Sequence, residues 1–129
     1  MSYTINWEPT GVYKQFSGQV AVAEFMESTA IVQEDARFAS VRYAINDFSN
    51  ATFVSVDFVE FFRNVFVAEL SANSKNENVR LIVITNDEHL TMLLRTYTNM
   101  PTTLYAVKVF SDLVEARRFL EGIPATTRG

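Results

Sequence analysis

Two Asn-Asp pairs, Asn46-Asp47 and Asn86-Asp87, stand where apolar runs end, and they are the residues of this chain best placed for chemistry. Carboxylates that meet on one rim can hold a hard cation, which takes several oxygens at once, or divide the work of general acid and base. A structural role competes with that reading. Ser, Asn and Asp are favoured helix N-caps, and an acid there meets the positive end of the helix dipole. Asn86-Asp87 and Ser111-Asp112 lie directly ahead of helical patterns and fit the capping role. Asp47 differs, because FSNATFVS (48–55) separates it from the next helix by more than a cap requires. Asn46, Asp47, Ser49, Ser55, Asn86 and Asp87 are therefore the candidates for a ligand-binding or recognition loop.

Other chemistries find little support. His89 is the single histidine and there is no cysteine, so neither a transition-metal site nor a Ser-His-Asp triad has its parts. No GxGxxG, GxxxxGK or GxSxG string occurs, and four glycines are few for a phosphate-cradling loop. The expectation is a protein without a bound metal or cofactor and without an enzymatic activity. A net charge of −4 argues against a nucleic-acid partner, whose binding needs a basic face. The N-terminal stretch lacks the basic and apolar regions of a secretory leader, and the longest aliphatic run is Leu81–Ile84. No transmembrane segment is expected, and a cytoplasmic location fits.

The elements that must position these residues read as one domain over 1–129, with a tail from about residue 123. Strands are expected at Tyr3–Trp7 and Val12–Phe16, joined through Glu8-Pro9-Thr10-Gly11 as a hairpin. Gly18–Glu34 reads as a helix with Ser17 as its cap. Val41–Asn46 alternates as a strand, and Val79–Thr85 is β-branched and apolar, as in the middle of a parallel sheet. Helices follow at Val56–Asn73, Asp87–Asn99 and Ser111–Glu121, with a last strand at Leu104–Phe110. The order β-β-α-β-α-β-α-β-α predicts an α/β fold with a mostly parallel sheet and an antiparallel N-terminal edge strand.

One helix is unusually aromatic. Placed at helical spacing, Phe58, Val59, Phe61, Phe62, Val65, Phe66, Ala68 and Leu70 of SVDFVEFFRNVFVAEL cover an arc of about 200°. Packing on one face of a sheet uses a little over half of that arc. The remainder fits burial between sheet and neighbouring helices, a dimer or partner surface, or the wall of an apolar pocket. Phe58, Phe61, Phe62, Val65 and Phe66 are the interface candidates. Glu69 falls inside the same arc, near the helix end where it can reach solvent.

The hairpin TINWEPTGVYKQFSG, the segment EDARFASVRYAINDF and the closing VFSDLVEARRFLEG together resemble the bacterial SpoIIAA-like family of small STAS/Sec14-type proteins. The similarity runs from about Tyr3 to Leu120 and rests on structural residues. It implies a SpoIIAA-like fold, related to anti-sigma-factor antagonists and more distantly to Sec14-type lipid-binding domains. STAS antagonists carry Asp-x-Ser after the third strand, and then an Asp-Ser-Ser/Thr-Gly turn whose hydroxyl is phosphorylated. Asp47-Phe48-Ser49 matches the first part. The second falls near Ser55-Val56-Asp57, which lacks the paired hydroxyls and the glycine, leaving Ser55 as the one acceptor.

Three functions compete on these grounds. The first is a regulatory protein-interaction module, expected as a homodimer through the Phe-rich helix and the Asn46–Ser55 loop. The second is a receptor for a small apolar or lipid-like ligand, in the manner that the Sec14 relationship implies. The third is an acid-dependent enzyme using Asp47 and Asp87.

Overall fold

Tyr3–Trp7 (β1) and Gly11–Val20 (β2) pair antiparallel, closed by reciprocal bonds between Glu8 and Gly11 at 2.8 and 3.4 Å. In the computed structural model, residues 2–53, 64, 67, 68, 71, 72, 74–99 and 107–122 are described. Tyr43–Phe53 (β3), Arg80–Ile84 (β4) and Lys108–Phe110 (β5) then join β2 in parallel, giving one sheet in the order β1-β2-β3-β4-β5. The expected mixed sheet with an antiparallel N-terminal edge strand is what forms. The parallel strands β3 and β4 carry Ile45, Ile82 and Ile84, all fully buried, as strands covered on both faces must.

Val22–Glu34 (α1) and Glu88–Thr98 (α2) pack on one face of the sheet. There Phe16, Val20, Phe48 and Val83 meet Leu90, Leu93 and Leu94, with Phe25 against them. Phe16 and Phe48 stack at 4.5 Å between ring centroids. Leu113–Glu121 (α3) covers the other face, where Ala116, Leu113 and Phe119 pack on Ile45, Ile82 and Ile84. Each fully buried side chain of this size contributes roughly 1.5–3 kcal/mol. The described residues within 64–75 are helical, and Ala72 among them joins the α1 face. No described helix is long and apolar enough to cross a membrane.

Two boundaries differ from the sequence reading. β2 continues to Val20, so Gly18–Ala21 is not helical and Ser17 caps nothing. Gly18 has φ of +71°, outside the helical region, and Val20 is drawn into the core opposite Phe53. The helix begins instead at Val22, with Ala21 as its N-cap, whose N–H donates to Glu24 Oε1 at 3.0 Å. β3 starts at Tyr43 and runs to Phe53, so Asn46–Phe53 is strand and not loop. Its polar second half reads as a turn in isolation, but Ser17–Val20 supplies a hydrogen-bonding edge for Asn50–Phe53.

Between those halves the partner offset shifts by one residue, so Phe48 and Ser49 together oppose Phe16 in a β-bulge. Asp47 holds that bulge. Its Oδ1 accepts from Ser49 N at 2.9 Å and Ser49 Oγ at 2.7 Å.

Candidate functional site

The acidic residues singled out by the sequence are placed apart in role. Asp87 is exposed and caps α2, its Oδ1 accepting from His89 N at 2.8 Å and Leu90 N at 3.1 Å. Asp112 does the same for α3 through Glu115 N at 2.8 Å. Asn86 and His89 are exposed beside the α2 cap. Asp47 is only 3% exposed, and it bonds within the bulge and to Tyr13, whose hydroxyl donates to Oδ2 at 2.5 Å. Among the described residues no three His, Asp or Glu side chains gather as metal ligands would. Ser55, Phe58, Phe61, Phe62, Val65, Phe66 and Glu69 lie outside the described residues.

On the α3 face Tyr13 and Asp47 adjoin a second polar group. Arg117 grips Glu8 with two bonds, Nη1 to Oε1 at 2.7 Å and Nη2 to Oε2 at 2.6 Å, and Tyr43 donates to the same carboxylate. Hydrogen bonds from Arg117 hold the Glu8 carboxyl below its ordinary range, and Glu8 holds the guanidinium above its own. Burial, then the bond to Asp47, raises the Tyr13 phenol. The guanidinium carbon also lies 5.7 Å from the Tyr13 ring centre. Each of these groups has its partner inside the protein, so the cluster works as a clamp between the hairpin and α3.

The opposite face holds groups that are not matched. β2 reads VYKQF over 12–16, and alternation puts Lys14 in phase with the core residues Val12 and Phe16. Lys14 is 3% exposed. Its Nζ donates to Ser28 Oγ at 3.0 Å and Thr29 Oγ1 at 3.2 Å on α1, and no carboxylate among the described residues pairs with it. Burial pushes its pKa down to about 7. On the adjacent strand its register partner is Asn46, 9% exposed, whose Oδ1 is buried and has no donor among the described residues.

Both side chains line a cavity of about 90 Å3 between the sheet and the helices over it. The rest of the wall is largely apolar, including Phe25, Val32, Phe38, Leu81, Leu94 and Val107. The wall is held from two sides. Gln33 Nε2 donates to the Ala68 carbonyl at 3.2 Å, and Asn76 Nδ2 to the carbonyls of Phe38 and Val41 at 2.8 and 2.7 Å.

Asn46 faces the core cavity and not an open loop. Lys14 is not among the candidates the sequence offers. The signal that marks it is a lone cation on the inward phase of an otherwise apolar strand.

No family model matches the sequence, and no curated protein sequence matches it. Solved structures do resemble it. The anti-sigma factor antagonist SpoIIAA in its unphosphorylated form superposes with a TM-score of 0.66 at 11% identity, over 94% of this chain and 99% of that one. An uncharacterised protein of the DUF3478 family with a SpoIIAA-like fold, from Shewanella loihica, gives 0.56 at 14% identity, over 92% and 91%. The Bacillus cell fate determinant SpoIIAA in its phosphorylated form gives 0.56 at 11% identity, over 92% and 98%. The chain has a SpoIIAA-like, STAS-type fold.

Proposed function

We propose that this SpoIIAA-like domain is a non-enzymatic receptor, taking a small amphipathic molecule into the cavity beneath α1. The observation that carries the reading is the wall itself: largely apolar, with Lys14, Thr29, Gln33 and Asn46 as its polar members, of which Lys14 and Asn46 lie buried on adjacent strands. Ligand sites combine these features, an apolar enclosure and a few polar groups that orient what enters. The volume narrows the class. Benzene occupies an engineered cavity of about 150 Å3, so about 90 Å3 takes a smaller molecule and not a lipid acyl chain. An acid–base pair of Asp47 and Asp87 is disfavoured, because one carboxylate pins the bulge and the other caps α2. Native mass spectrometry of protein purified without denaturation, followed by screening of small alcohols, acids and amides by thermal shift, tests the reading. A co-purifying or stabilising small molecule is expected. Bare protein together with an unresponsive Tm refutes it.

A second reading is regulatory interaction with a protein partner, favoured by the extent of the likeness to the anti-sigma factor antagonist. It includes a homodimer through Phe58, Phe61, Phe62, Val65 and Phe66 and a phosphorylatable hydroxyl at Ser55. Sedimentation velocity across a concentration series is expected to show a dimer, and a strict monomer overturns that part. Phosphate mapped to Ser49 or Thr52 instead of Ser55, after treatment with any co-encoded kinase, overturns the switch.

A further inference from the structure

Two buried groups in the cavity have hydrogen-bonding capacity left over, and their types specify what fits them. Ser28 Oγ and Thr29 Oγ1 each donate to the Phe25 carbonyl, at 2.8 and 3.0 Å, so each is left to accept from Lys14. An ammonium has three hydrogens and these hydroxyls use two. The third finds no acceptor among the described residues. The rings of Phe16 and Phe25, with centres 5.6 and 5.0 Å from Nζ, give the charge some relief but not an anion. One strand away Asn46 Oδ1 is an acceptor without a donor, and no hydrogen bond joins it to Lys14. A buried charge without a counter-ion and a buried acceptor without a donor are both unfavourable until something supplies the missing halves.

We propose that the cavity binds a short-chain hydroxycarboxylic acid, its carboxylate against the Lys14 ammonium and its hydroxyl donating to Asn46 Oδ1. The proposal rests on the receptor reading above and names the ligand class for the same site. The carboxylate supplies the anion and accepts the third ammonium hydrogen. The hydroxyl supplies the donor that a plain fatty acid lacks. The short alkyl part lies against Phe25, Val32 and Leu94, and the volume holds the ligand to roughly five heavy atoms, fewer than the six of benzene. A lowered Lys14 pKa fits a buried amine that has no carboxylate partner among the described residues, and an arriving carboxylate would restore the charged form.

Isothermal titration of the whole chain with glycolate, acetate and ethane-1,2-diol separates the two contributions. The wild type is expected to bind the hydroxy acid at least tenfold more tightly than either comparator. Lys14→Met is expected to lose the preference over the diol, and Asn46→Leu the preference over acetate, each with an unchanged circular dichroism spectrum. Equal affinity for diol and hydroxy acid, or a preference that survives Lys14→Met, overturns the proposal and leaves the receptor reading standing. Absence of heat with all three compounds overturns the proposal as well. The receptor reading falls with it only where native mass spectrometry also returns bare protein.

Discussion

Replacing Lys14 with methionine is expected to stabilise the ligand-free protein, although a core side chain with two hydrogen bonds is removed. A lysine pKa lowered from 10.5 to about 7 by burial corresponds, at about 1.4 kcal/mol per unit, to a penalty of up to about 5 kcal/mol for the charged form. Methionine matches the stem in length and fills irregular gaps, so no sizeable cavity opens. Ser28 and Thr29 lose the amine but keep the Phe25 carbonyl as a partner, at a cost of roughly 1 kcal/mol each. The balance is a gain of about 2–3 kcal/mol at pH 7. The pH profile is the sharper readout. Between pH 7 and 10.5 the unfolded chain carries one more proton on Lys14 than the folded chain does. Wild-type stability therefore rises with pH across that window, by about 2 kcal/mol from pH 7 to 9, while Lys14→Met lacks this contribution. Above pH 10 a different group takes over. The phenols of Tyr3, Tyr13 and Tyr43 are raised in the folded state, so their stabilisation, complete below pH 10, is lost as pH climbs further. Urea denaturation of both proteins at pH 7 and 9 measures the difference directly. A variant that is less stable at pH 7, with a gap unchanged at pH 9, refutes the account of Lys14 as an unpaired buried cation.

Three further expectations concern the scaffold. Gly11→Ala would set a Cβ 2.2 Å from Tyr43 Cε1 and Cζ, its register neighbour, and a loss of about 1–3 kcal/mol in denaturant unfolding is expected, with no loss counting against the packing described. Tyr13→Phe removes a donor from the buried Asp47 carboxylate, and a fall of about 1.5–3 kcal/mol is expected by thermal unfolding; a neutral result means that the bulge alone holds Asp47. Glu8→Gln and Arg117→Gln, singly and together, are expected to show a coupling of about 1 kcal/mol, modest because both side chains are partly exposed. Strict additivity would mean that the clamp contributes nothing.

The contrast between what the chain spelled out and what it concealed follows from the range of the forces involved. The nearly continuous β-branched apolar run in Val79–Thr85 and the spacing of Leu90, Leu93 and Leu94 are local signals, and both elements appear with little change. Asp87 and Asp112 cap their helices for reasons contained in the next three residues. The second half of β3 is different. Ser49-Asn50 reads as a turn by itself, and only the distant edge at Ser17–Val20 makes this half strand. The same distance hid the site: Lys14 and Asn46 lie 32 positions apart and become neighbours only through parallel pairing across a right-handed crossover. The partner of Asp47 was likewise hidden, because Tyr13, whose hydroxyl donates to its carboxylate, is remote in sequence.

Asn46 and Asp47 adjoin in the chain yet face opposite layers, the amide toward the cavity and the carboxylate toward Tyr13. An Asn codon becomes an Asp codon by one base change, so a built-in anion for Lys14 is a single mutational step away. That step would place a carboxylate one strand away from Lys14, and the protein's own side chain would supply the anion that the proposed ligand brings. On the proposed reading, the amide at position 46 leaves that demand to an outside molecule, and a single substitution removes it with the architecture unchanged.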